Sequence, residues 1–75
     1  MTTTKFYNQL SQDAKDILVL LRKQYLTFNV NSFSIIDLPG DPKANLMKLY
    51  ELQSRDFGNI KGSNFLINVE RINQL

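Results

Sequence analysis

The side chains best suited to bind a ligand lie in the segment 42–57 and in the turn that follows it. Lysine, arginine and asparagine donate hydrogen bonds to phosphates and base edges, and the candidate residues of these types are Lys43, Asn45, Lys48, Arg55 and Lys61. Lys48 and Arg55 are two helical turns apart. An asparagine near a helix N-terminus can pair with adenine, so Asn45 is the predicted base reader and the four cations are predicted phosphate contacts.

The same residues also suit an ordinary solvated helix face. Glu51 lies between Lys48 and Arg55, where its charge lowers the positive potential of that face. A net charge of +2 and an isoelectric point near 9.1 permit nucleic-acid binding without requiring it. The residue pattern therefore leaves both interpretations open.

Catalytic chemistry finds little support in the composition. The chain has no His and no Cys, which removes the commonest general base, the commonest zinc ligand and the thiolate nucleophile. Gly40, Gly58 and Gly62 are isolated, so none belongs to a phosphate-binding glycine loop. We expect no catalytic residues, no cofactor and no metal site, and hence no enzyme.

A capped helix followed by a β-hairpin is predicted for the second half of the chain. Asp41 can cap the helix, Pro42 suits its first position, and Gly58 is expected to end it in the left-handed conformation. The predicted inward side chains of this helix are Leu46, Leu49, Tyr50 and Phe57. The turn-forming residues 61–64 predict a hairpin within 60–69 that buries Phe65, Ile67 and Val69. A helix beginning at Asn64 fits the same residues by spacing.

An earlier long helix is predicted from the apolar spacing after Ser11, its expected N-cap. Its predicted core stripe is Leu10, Ala14, Ile17, Leu18, Leu21, Tyr25 and Phe28. Val19, Leu20 and Leu26 lie off this stripe. Either the Phe6-Tyr7 segment covers them, or they form a partner surface or a homodimer seam.

The sequence in the middle of the chain predicts a short strand and a short helix. Residues 27–30 alternate as in a strand, and a brief helix would carry Phe33, Ile36 and Leu38 inward. Two prolines and a glycine in 39–42 then prevent a continuous helix. Seventy-five residues form one domain, with a frayed terminus over residues 1–4. The absence of a long apolar stretch predicts a cytoplasmic protein without a membrane segment.

The order of these elements resembles winged-helix domains, as does the opening of the first helix, Leu10-Ser11-x-x-Ala14-x-x-Ile17-Leu18. The expected fold class is therefore α+β, winged-helix-like, with three helices and a C-terminal β-hairpin. A second resemblance is to small domains of mobile elements in Gram-positive bacteria. It is carried by the segments 33–38 and 52–57, although Gln53 stands where that family usually has Gly. One branch of that family partners an element-encoded A-family polymerase and assists priming.

These observations predict a small non-enzymatic domain that binds double- or single-stranded DNA. It would act as a regulator or as an accessory subunit of a mobile-element or phage replication enzyme, with a polymerase or another replication protein as a possible partner. The alternative is a protein-interaction module, such as a phage- or element-encoded subunit or inhibitor that docks on an enzyme.

Overall fold

Helices and a three-stranded antiparallel sheet make up an α+β domain in the computed structural model, which describes residues 2–75. The helices are α1 (Thr2–Asn8), α2 (Gln12–Phe28), α3 (Pro42–Ser54) and α4 (Val69–Asn73), with a 3-10 helix at Ile35–Asp37. The strands are β1 (Ser32–Ser34), β2 (Gly58–Lys61) and β3 (Asn64–Ile67). No helix within residues 2–75 is long and apolar enough to cross a membrane.

Side-chain caps fix where the two long helices begin. The Ser11 hydroxyl accepts a hydrogen bond from the Ala14 N–H at 3.2 Å, and the Asp41 carboxylate accepts one from the Ala44 N–H at 3.2 Å. Both predicted N-caps are therefore confirmed. The prediction of a strand over 27–30 was wrong, because α2 continues to Phe28 and ends at Asn29 in the left-handed conformation.

The sheet has the strand order β1-β3-β2, with the C-terminal hairpin forming two of its strands. Phe65 of β3 is central, since it pairs with Phe33 on one side and with Ile60 on the other. Phe65 and Ile67 are buried as predicted. Val69 was expected in the same strand, but Asn68 caps α4 and Val69 opens that helix. Residues 64–73 thus contain a strand and then a helix.

The core lies between α2, α3 and the sheet. The buried part of the predicted α2 stripe is Leu10, Ala14, Ile17, Leu18 and Leu21, and Tyr25 packs against it. Phe28 was assigned to the core wrongly, because it is 65% exposed at the end of α2. In the second half of the chain Leu49, Leu52 and Phe57 are fully buried. The brief helix predicted in the middle of the chain is the 3-10 helix Ile35–Asp37, which buries Ile35, whereas Ile36, predicted to face inward, is exposed.

Gly58 allows β2 to lie close to Phe65 and Leu66 of β3. It does not end α3, although the sequence predicted that it would. Asp56 takes the left-handed conformation instead, with φ of 64°. Gly58 lies in β2, where a Cβ would stand 2.4 Å from the Phe65 ring and 2.5 Å from the Leu66 carbonyl oxygen. Only a residue without a side chain fits beside the central Phe65.

The N-terminal helix is held against α4, although residues 1–4 were predicted to fray. Thr3 is 2% exposed; its hydroxyl donates to the Gln74 side chain and accepts from the Arg71 guanidinium at 3.1 Å. The same guanidinium stacks 5.0 Å from the Phe6 ring centroid and pairs with Asp56 at 3.4 Å. Met1 lies outside the described residues. The threonine-rich sequence did not indicate this contact, because α4 supplies its partners.

The Gly58 contact predicts a large difference between two glycine substitutions. Gly58→Ala should lower the free energy of unfolding by about 3 kcal/mol or more, because the new methyl group meets backbone as well as a buried ring. Gly62→Ala in the hairpin turn should cost about 1 kcal/mol, since its φ is +60° and its Cβ would meet no atom within 4 Å. Urea denaturation measures both. Equal losses would contradict the close packing of Gly58 on Phe65.

Candidate nucleic-acid interface

The outward side of α3 differs from the one predicted. Its buried residues Asn45, Leu49 and Leu52 follow the spacing i, i+4, i+7. The residues at the opposite phase of the helix, and exposed to solvent, are Lys43, Met47, Tyr50 and Ser54. Met47 is 75% exposed and Tyr50 is 53% exposed, although Tyr50 was predicted to face the core. The outer surface of α3 therefore joins one cation to two large apolar side chains.

The hairpin turn lies beside the N-terminal end of α3. A shallow depression of about 260 Å³ joins them, lined by Ile35, Ile36, Pro42, Lys43, Leu46, Gly62 and Ser63. Lys61 is exposed and directly precedes this turn. We call the surface formed by Ile36, Lys43, Met47, Tyr50 and Lys61 the α3–hairpin face.

Gln53 fixes the hairpin relative to α3. The Ile60 N–H donates a 2.7 Å hydrogen bond to the Gln53 side-chain oxygen. β2 is an edge strand, and its pairing with β3 leaves this N–H without a partner in the sheet. The helix side chain supplies that partner. The sequence around Gln53 carries no local signal that its amide reaches a later strand.

Glu51 ties the flank of α3 to the start of α2. The Ser11 N–H and hydroxyl both donate to the Glu51 carboxylate, at 2.6 and 2.9 Å. A carboxylate at a helix N-terminus is stabilised by the exposed N–H groups and by the helix dipole. Glu51 is thus held at the α2 N-terminus, on the flank of α3 where the sequence predicted a face for DNA.

Lys48 lies on this same flank. It is half-buried and lines a cleft with Asp13 and Asp16 of α2. Two nearby carboxylates lower the positive potential that Lys48 can offer to a phosphate. Its predicted role as a phosphate contact therefore has little geometric support.

Asn45 cannot read a base from its position in this structure. It is 2% exposed, and its amide nitrogen donates to the Pro39 carbonyl at 2.8 Å. The bond holds the Pro-Gly break against the first turn of α3. The prediction of Asn45 as a base reader therefore fails on burial, and the physical reason is the rotation of α3.

The exposed cations predicted to contact phosphates do not all lie on one surface. Lys43 and Lys61 lie at the α3–hairpin face, whereas Arg55 is exposed at the other end of α3, where it forms the C-cap. Asp37 and Asp41 are also exposed beside the start of α3. The net positive charge of the face is small.

The three residues predicted as a partner surface do not form one patch. Val19 and Leu26 are 54% and 59% exposed on one flank of α2. Leu20 is half-buried and lines grooves with Pro39 on another flank. Tyr7 of α1 lies beside Val19 without covering it, so the expected cover by the Phe6-Tyr7 segment is incomplete.

Comparisons with protein-family models, with curated proteins and with solved structures gave no match to this chain. Within residues 2–75 no group of three or more Asp and Glu side chains is placed to hold a metal ion. The surfaces described above are therefore the basis for any functional inference.

Because Asn45 is buried, its substitution should lower the stability of the fold. Substitution of a base-reading residue would instead change the preference for a DNA sequence. Asn45→Ala should lower the free energy of unfolding by about 1–3 kcal/mol, because it removes a buried side chain and the hydrogen bond to Pro39. Arg55→Ala, at an exposed position, should change it by no more than about 0.5 kcal/mol. Thermal and urea denaturation measure both. An Asn45→Ala protein of unchanged stability would contradict the structural role.

Proposed function

We propose that this chain is a winged-helix-like domain that binds nucleic acid through its α3–hairpin face. The observation that carries the proposal is the order of elements together with the sheet. After α2 come β1, a 3-10 turn, α3 and the hairpin, and the first strand pairs with the last. In a winged helix this arrangement makes α3 the recognition helix and the hairpin the wing. The second helix of such a fold is here reduced to the single turn Ile35–Asp37.

The chemistry of the face supports particular roles for its residues. Lys43 in the first turn of α3 and Lys61 beside the hairpin turn are exposed cations that would contact phosphates. The strand register places Lys61 on the solvent side of the hairpin, opposite to Ile60 and Phe65. Met47 and Tyr50, which follow Lys43 along the outer side of α3, offer an apolar surface and a hydroxyl to thymine methyl groups and base edges. Arg55 would contact the backbone beyond the far end of α3.

The charges near the face support moderate, salt-sensitive binding. Asp37 and Asp41 partly offset Lys43 and Lys61, so few phosphates can be neutralised at once. Such a domain gains useful affinity when a second DNA-binding partner adds contacts. This agrees with a role as a small regulator or as an accessory subunit of a phage or mobile-element replication enzyme.

One observation favours a second candidate function. Ile36, Met47 and Tyr50 are 71%, 75% and 53% exposed, and all three belong to the α3–hairpin face. Clustered exposed apolar side chains are typical of protein-binding surfaces. The second candidate is therefore a protein-interaction module that uses this face to self-associate or to dock on an enzyme.

Charge reversal on the α3–hairpin face tests the first proposal. The Lys43→Glu, Lys61→Glu double variant should bind duplex DNA more weakly and with a salt dependence flatter by roughly one unit of slope per lost phosphate contact. Glutamate suits the first turn of a helix, so the Lys43 change should not unfold the protein. Fluorescence anisotropy with labelled duplex and single-stranded DNA, between low and moderate salt, measures the slope.

The matched control is a double reversal of two exposed lysines elsewhere, Lys5→Glu and Lys23→Glu, which alters net charge by the same amount. It should retain the salt slope of the original protein. An equal loss in both double variants would show that only total charge matters. Absence of any binding at micromolar protein and low salt would reject nucleic-acid binding itself.

Self-association through the α3–hairpin face is the clearest consequence of the second candidate. In that case light scattering should show a dimer whose dissociation constant rises at least about tenfold with Met47→Glu, because a charge would be buried in the seam. Val19→Glu, at an exposed position of α2, is the control and should leave the dimer intact. A monomer at all concentrations would reject a seam between copies on this face.

A further inference from the structure

A second surface, away from the α3–hairpin face, has the features of a binding groove. It is about 340 Å³ in volume, runs between α1, α2 and the segment after α4, and is lined by Thr4, Tyr7, Asn8, Val19, Arg22 and Leu75. Val19 contributes an exposed apolar side chain to it, and Leu26 continues the same flank of α2. Tyr7 also packs against the core, but the proposed DNA-binding role uses none of these residues.

The side chain of Arg22, in this groove, has an N–H group without a hydrogen-bond acceptor among the described residues. Its Nε is buried and has no hydrogen-bond partner among residues 2–75. The ion pair found within those residues joins Arg71 to Asp56, so Arg22 has no carboxylate partner there. Buried polar atoms in folded proteins nearly always have a partner, and a guanidinium pairs best with a planar carboxylate in a bidentate geometry.

Cations alternate with apolar side chains along this flank of α2. Lys15, Val19, Arg22 and Leu26 follow the spacing i, i+4, i+7, i+11 along one side of the helix, with Lys23 next to them. Lys15 lies over the Tyr7 ring at 5.5 Å from its centroid. Asp13 lies on another flank, whereas Asp16 stands one turn before Val19 and borders this one; both carboxylates line the cleft with Lys48. This flank is therefore complementary to a segment in which carboxylates alternate with apolar side chains.

We propose that this groove binds an acidic, amphipathic segment of a partner protein. A Glu or Asp of that segment pairs with the Arg22 guanidinium, while its apolar side chains contact Val19 and Leu26. Because the Arg22 Nε is closed to solvent, a bidentate pair requires the side chain to turn into the groove on binding. Peptide is favoured over a phosphodiester strand because the exposed walls beside Arg22 are apolar, and an alternation of carboxylate and apolar groups matches them. The surface lies outside the α3–hairpin face, so the domain can hold a partner protein while α3 remains available.

The experiment uses a synthetic helical peptide with Glu and Leu at helical spacing and a matched peptide with Gln in place of every Glu. Titration of the ¹⁵N-labelled protein, followed by NMR, reports on the Arg22 Nε–H and on the Val19 and Leu26 amides. We expect all three resonances to shift with the Glu peptide, and binding of the Gln peptide to be at least about tenfold weaker.

Substitutions in the protein complete the test. Arg22→Gln should raise the dissociation constant for the Glu peptide by about tenfold. Val19→Glu provides a second route, because it repels the peptide from an exposed position that the fold does not depend on. Lys43→Glu on the other face is the control and should bind the peptide as the original protein does. Thermal denaturation verifies that each variant is folded.

Three results would overturn the proposal. The first is the absence of shifts in the groove at millimolar Glu peptide. The second is equal binding of the Gln peptide, or of the Glu peptide to Arg22→Gln. The third is a duplex oligonucleotide that shifts the Arg22 Nε–H more strongly than the peptide, which would assign the groove to nucleic acid.

Discussion

The rotation of α3 about its own axis determines which side chains this domain presents to a partner. Burial of Leu49 and Leu52 and the hydrogen bond from Asn45 to Pro39 fix that rotation. Any other phase would expose leucines to water and leave a buried amide without its partner. Once the phase is fixed, Gln53 reaches the hairpin and Glu51 reaches the α2 N-terminus. The outer stripe is left to solvent and to ligands.

The two surfaces that remain available differ in their chemistry. The α3–hairpin face combines Lys43 and Lys61 with exposed Met47 and Tyr50. The groove beside α2 combines Arg22 with apolar walls. Under the two proposals, the few phosphate contacts of the α3–hairpin face would give weak binding to DNA, and a protein bound in the groove would raise the effective concentration of the domain near that DNA. The two proposals are independent, because the residues that carry them do not overlap.

Contacts between distant parts of the chain hold these surfaces in place. Arg71 joins α4 to Thr3 and Phe6 of α1, which brings α1 beside α2 and so forms one wall of the groove. Gly58 lets β2 pack on Phe65 of the central strand, which positions the hairpin beside α3. In a domain of this size, stability and the shape of both surfaces depend on the same few interactions.

The sequence by itself determined the local features: the N-caps Ser11 and Asp41, the apolar spacing of α2, the hairpin and the α+β class. These follow from hydrogen bonds and periodicities within a few residues of each other. Tertiary structure alone decided that Asn45 is buried, that Tyr50 is exposed and that Leu20 is separated from Val19. The helix 42–54 carries apolar residues at several phases, so its pattern permits more than one inward side. The packing of α2 and the sheet selects one of them, because that side alone buries Leu49 and Leu52 together.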